Sequence, residues 1–212
     1  MKINPKWEES LELQIQKACE ELQQRDPRQV THDSGAVYYE TEEGPDQLSL
    51  DFFGQPHTIT WPELAIQDAA GHTCANPVQS TLLQYLVLAD GTPLAHHWVS
   101  LGELPSGTFY EQAFQGYSGN LLARTFKGDL EGFQAAARQI GGEPLSLGDA
   151  AFRFWALPRI PLAVVYWSGG DEFPASTQVL FDASAYHYHH LEMLAHLGAM
   201  LCKQLIEVHQ DN

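Results

Sequence analysis

Apolar positions near the start of the chain fall three and four residues apart. Trp7, Leu11, Ile15, Ala18 and Leu22 form one stripe, the period of an amphipathic helix. Asn4 and Pro5 supply an N-cap and first-turn pair for it, and Asp26-Pro27 predicts its end. From Gly35 onward the period becomes two. Leu48, Leu50 and Phe52 alternate with Ser49 and Asp51, Gly54-Gln55 predicts a turn, and Ile59 and Trp61 alternate with Thr58 and Thr60. That pattern predicts an antiparallel meander with one face in water.

Asn76-Pro77 repeats the cap signal before residues 78–89, which are apolar on most sides and therefore predict a buried helix closing at Asp90-Gly91. His96, His97, Trp98 and Val99 read as a short extended piece ending in the Glu103-Leu104-Pro105 turn. Residues 109–126 predict a helix interrupted between Gly116 and Asn120. Asp129 caps another, with Phe133, Ala136, Ala137 and Ile140 on one face and Gly141-Gly142 as the stop. Three strands are expected at 150–155, 162–167 and 177–181, then a closing helix over 191–208. Strands and helices come in blocks rather than strict alternation, which predicts an α+β fold. The expected architecture is one domain over 1–212: an N-terminal helix and antiparallel meander, a helical middle, and a C-terminal three-strand sheet packed by the last helix.

Composition changes the picture in two ways. The 212-residue chain is 44% hydrophobic, enough for a packed core. It carries 27 acidic residues against 11 Lys plus Arg, a formal net charge of −16. So acidic a surface repels phosphate backbones, so nucleic acid is not an expected partner. No apolar run approaches a membrane span, no charged-then-apolar leader opens the sequence, and the expected compartment is the cytoplasm. Three widely spaced cysteines (Cys19, Cys74, Cys202) make neither a disulfide framework nor a cluster site.

Four segments carry a family likeness: GTPLAHHWVSLGELPSGTFYEQAF (91–114), GGEPLSLGDAAFRF (141–154), LPRIPLAVVYWSGGDEFPAS (157–176) and VLFDAS (179–184). In this order they resemble the bacterial and archaeal domain of unknown function 3786, over roughly residues 25 to 205. The resemblance implies a soluble intracellular protein of no established activity; some relatives carry an attached iron–sulfur cluster domain, for which this chain has no cysteine cluster. Before the last helix the chain departs from the family pattern and reads Tyr188-His189-His190-Leu191-Glu192, so a function common to the family would not depend on these histidines.

The candidate chemistry lies mostly in the matching segments. Arg159 stands between two prolines at the head of an apolar run, where an unpaired guanidinium is costly. Asp171, Glu172 and Asp182 are the carboxylates expected to pair with it, as an anion-binding set, as acid–base groups, or as an ion pair bracketing a hairpin. Glu103 and Asp149 sit in turns beside Gly or Pro and are expected to fix backbone geometry. Trp155, Tyr166, Trp167, Phe173 and Phe181 gather in the C-terminal half, as core or as the wall of a pocket for a flat ligand. His187, His189, His190 and His196 read as a solvated helix start; His189 and His196 are two turns apart and cannot share one ion, so no metal site is expected. No phosphate-binding loop, dinucleotide fingerprint or nucleophile elbow is present. The leading expectation is a non-enzymatic accessory protein that binds a ligand or cofactor of unknown identity, with Arg159, Asp171, Glu172, Asp182 and Trp167 as binding residues. An enzyme using Arg159 with Asp171, Glu172 or Asp182 is the alternative, and an acidic module for a protein partner is another.

Overall fold

A computed structural model of the chain describes residues 5–170 and 173–211. The fold is α+β, with two antiparallel sheets of four and five strands. Its contacts divide into two compact units. One gathers the chain up to Pro93 together with Leu157–Arg159 and His187–His189; the other holds Leu94–Ala156, Ile160–Tyr186 and the chain from His190.

The first unit begins with helix α1 (Pro5–Leu22), which buries Leu11, Ala18 and Leu22. The Asp26-Pro27 signal ends α1 and also starts a second helix. Asp26 accepts from the Arg28 amide, and Pro27 opens α2 (Pro27–Ser34). Gly35 closes α2 with φ of 75°, its N–H bonded to the Thr31 carbonyl. The meander follows as β1 (Val37–Tyr39), β2 (Asp46–Phe52), β3 (Gln55–Trp61) and β4 (Ile66–Gln67), in that order across the sheet. Leu48, Leu50, Phe52, Ile59 and Trp61 are buried, as their alternation requires. The β2–β3 turn is one residue earlier than expected. Phe52 pairs with Gln55, and Phe53 and Gly54 take positive φ (48° and 71°), as a two-residue hairpin turn demands. Helix α3 (Asn76–Leu88) buries Leu82, Leu83, Tyr85 and Leu86 and is tied to α1 through Gln14, whose Oε1 accepts from Ser80 and Gln84.

The second unit is built on the five-stranded sheet, ordered β5-β9-β8-β7-β6. Strands β7 (Ala150–Leu157), β8 (Ile160–Trp167) and β9 (Ser176–Asp182) are the three expected from sequence. Two short edges complete the sheet. The extended piece β5 (Trp98–Val99) pairs with β9, and β6 (Glu143–Leu145) pairs with β7. Every residue of β8 from Ile160 to Tyr166 is buried, the pattern of a strand covered on both faces. The expected interrupted helix is α4 (Glu111–Tyr117) and α5 (Gly119–Phe126), broken at Ser118. Asp129 caps α6 (Leu130–Gln139) by accepting from the Gly132 amide. The closing helix α7 (Leu191–Gln210) buries Leu194, Leu197, Leu201 and Leu205. Gly198 lets α7 approach α4: a Cβ there would lie 2.7 Å from the Phe114 ring. Phe126, Phe133, Phe152 and Tyr166 form an aromatic core, with Phe133 stacked on Tyr166 at 4.8 Å.

Candidate functional site

The second unit carries a cleft of about 650 Å³ between the C-terminal turn of α5 and the loop joining β8 to β9. One wall is Ala123, Arg124 and Lys127. The other is formed by Ser168–Gly170 and by Phe173, Pro174 and Ala175.

Local sequence explains both walls. Lys127 ends α5 in the left-handed conformation (φ 47°, ψ 39°), its N–H bonded to the Ala123 carbonyl. The adjacent Gly128 N–H donates to the Tyr166 hydroxyl on β8 at 2.8 Å, which fixes the end of the helix against the sheet. Arg124 folds back toward the start of α5, Nε on the Asn120 carbonyl (3.0 Å) and a terminal nitrogen on the Gly116 carbonyl of α4 (3.2 Å). Across the cleft, Asp149 anchors the start of the loop. Its Oδ2 accepts from the Ser168 hydroxyl (2.7 Å) and amide (2.8 Å), and these bonds hold its carboxyl below the usual range. Gly169 has φ of 73°, and a Cβ there would lie 2.6 Å from the Ala175 nitrogen and the Phe173 carbonyl. Only glycine allows that turn. The Phe173 ring is 73% exposed.

The sequence candidates are distributed differently. Arg159 belongs to the first unit. Its amide donates to the Tyr85 hydroxyl at 3.0 Å, and its side chain packs on Gly35. Its Nε is buried without a hydrogen-bond partner, and among the described residues of its unit no carboxylate pairs with it. Asp182, in the second unit, is buried and accepts from the Ala95 amide (2.9 Å), the Ser184 amide (3.0 Å) and the Ser184 hydroxyl (2.6 Å). Desolvation pushes its carboxyl up, but these hydrogen bonds prevail and hold it below the usual range. Asp171 and Glu172 lie outside the described residues. Trp167 ends β8, paired with Ser176 and 38% exposed. Glu103 forms the capping box of a short 3-10 turn (Leu101–Glu103), its carboxylate accepting from the Ser100 amide at 2.7 Å.

The family whose pattern matches the chain is described as Domain of unknown function (DUF3786), over residues 26–204. The chain belongs to this family. No curated protein and no solved structure matches it. The DUF3786 span covers both walls of the cleft and all five residues singled out as ligand-binding, while the whole of α1 precedes it.

Within the DUF3786 span the histidine group is not the solvated helix start expected from sequence. His189 is buried, with Nε2 3.3 Å from the Thr81 carbonyl, to which it donates. His187 Nδ1 lies 2.7 Å from Asp90 Oδ2 and 3.2 Å from the Thr92 hydroxyl. Only His190 and His196 are exposed, and α7 starts after both His189 and His190. The polar reading failed because an imidazole donates to a buried carbonyl as readily as it stands in water. Among the described residues no three His, Cys, Asp or Glu side chains gather to hold an ion.

Sequence reasoning missed Arg124 and Lys127, which look like ordinary exposed helix residues. The available signal was two cations three residues apart in a chain with 27 acids and 11 Lys plus Arg. Phe173 was noticed as an aromatic, and its place between Gly169-Gly170 and Pro174 marks a turn that cannot bury a ring in regular structure.

Proposed function

We propose that the chain is a non-enzymatic accessory protein that binds a small ligand in the cleft between α5 and the β8–β9 loop. The carrying observation is the cleft: about 650 Å³, walled by Ala123, Phe173, Pro174 and Ala175 with Arg124 and Lys127 beside them. That size and mixture, mostly apolar with few charged groups, is typical of small-molecule sites. Trp167, one of the residues singled out from sequence, directly precedes Ser168 of the cleft wall in the chain. Arg159, with its unpartnered Nε in the other unit, is a separate candidate contact. The enzyme alternative, Arg159 with Asp171, Glu172 or Asp182, is weakened by the engagement of Asp182 with backbone amides. A net charge of −16 argues against nucleic acid. No helix among the described residues is long and apolar enough to cross a membrane, which fits the proposed cytoplasmic setting.

Titration with N-phenyl-1-naphthylamine, a neutral fluorophore that brightens in apolar surroundings, tests the reading. One saturable site is expected, abolished by Ala123→Trp, which fills the cleft from the helix side. Failure of the folded protein to bind the probe, or equal binding by the folded Ala123→Trp variant, would refute it.

A further inference from the structure

The cleft sets two cations three residues apart on one wall, at the end of α5. Arg25, Arg28, Arg153 and Lys203 are each paired with a glutamate. Arg124 and Lys127 have no ion pair among the described residues, although acids outnumber Lys plus Arg 27 to 11. In so acidic a protein, two neighbouring cations with no carboxylate partner among the described residues make a local excess of positive charge. The apolar side of the same cleft repeats the message in another form. Phe173 is 73% exposed beside Ala123, Pro174 and Ala175, a ring that gains contact only if something covers it.

Resting on the ligand-binding reading above, we propose that the cleft takes a small monoanion with a flat apolar body, of the aryl carboxylate class. Its charge is held by Lys127 and Arg124, and its body lies on Phe173 and Pro174. Arg124 already donates two of its hydrogen bonds to the Asn120 and Gly116 carbonyls, so Lys127 is the main contact and Arg124 adds charge. A polyanion such as a nucleotide is a poor fit. Each further negative charge meets the repulsion of a chain at −16, with only two cations to offset it.

The test compares two probes with one ring system. 8-Anilinonaphthalene-1-sulfonate is N-phenyl-1-naphthylamine carrying one sulfonate. At low salt the sulfonate is expected to bind at least tenfold tighter than the neutral probe, with the preference shrinking as salt is added. Lys127→Gln should lower sulfonate affinity at least fivefold and leave the neutral probe within twofold. The double variant Lys127→Gln, Arg124→Gln should erase the preference, with circular dichroism checking that the fold persists. trans-Cinnamate should displace the sulfonate probe, and cinnamyl alcohol should not.

If both probes bind equally and Lys127→Gln changes neither, the cleft binds ligands but the anion assignment is wrong. If neither binds, the ligand-binding reading falls as well. Asp171 and Glu172 adjoin the lining residues in sequence, so Asp171→Asn with Glu172→Gln gives the remaining control. A sulfonate probe that binds no better than the neutral one until that substitution is made would mean that the cations serve these carboxylates, and would overturn the proposal.

Discussion

Asp182 illustrates how one residue type can be read as chemistry and used as structure. Its carboxylate sits at the end of β9, where the chain turns into residues 183–187, and it satisfies the amides of Ala95 and Ser184 and the Ser184 hydroxyl. Replacing it with alanine strands those donors in a buried place, at a cost of about 1–3 kcal/mol for such an unsatisfied group. The pH dependence follows from its depressed carboxyl. A carboxylate whose folded pKa lies below the unfolded value of about 3.9 stabilises the fold above that value. The contribution disappears as pH falls through the folded pKa. Asp182→Asn should therefore be less stable than the wild type in urea at pH 7, and the gap should narrow as pH falls below the unfolded value of about 3.9. A gap that persists unchanged at pH 2.5 would show that the charged form makes no contribution.

At the scale of elements, local signals were legible and long-range ones were not. Asp129 with Gly141-Gly142 fixed α6, and the small and polar residues 116–120 marked the break between α4 and α5. The edge strands β5 and β6 are two and three residues long, too short for a period to register. Their existence depends on partners far along the chain. The cleft was illegible for the same reason: it forms where the end of α5 meets a loop some 45 residues later, and neither side announces the other. The two glycines around the α4–α5 break show how far a local reading falls short. Both read as helix breakers in sequence. At Gly116 an added Cβ meets nothing within 4 Å, whereas at Gly119 it would lie 2.3 Å from the Thr177 carbonyl on β9. Gly116→Ala should thus be neutral or stabilise by up to about 1 kcal/mol, from helix propensity. Gly119→Ala has to push α5 off the sheet, an overpacking cost of about 1–3 kcal/mol or more. Urea denaturation of the two variants separates these roles, and equal stabilities would refute the close approach of α5 to β9.

For the whole molecule, the open question is whether its two units fold separately. One expected domain became two compact groups of contacts, but neither is a continuous piece of chain. The first unit takes residues 157–159 and 187–189 from far downstream, and these are structural members. Tyr188 is fully buried, its ring 6.1 Å from that of Tyr85 and its hydroxyl donating to the Thr92 carbonyl. His189 bonds to Thr81 on α3, and the Arg159 amide donates to the Tyr85 hydroxyl. Removing one buried aromatic alone costs about 3–5 kcal/mol, against a total stability of about 5–15 kcal/mol for a domain. A fragment of residues 1–93 lacks all of these groups and leaves the Tyr85 side of α3 without its cover. It should show no cooperative unfolding transition and little near-ultraviolet circular dichroism, although α1 and α3 retain some helicity by local propensity. Full-length Tyr188→Ala should be destabilised by a similar 3–5 kcal/mol and still unfold cooperatively. A fragment that melts cooperatively with native-like near-ultraviolet signal would establish the first unit as an independent domain and refute the single-domain reading of residues 1–212.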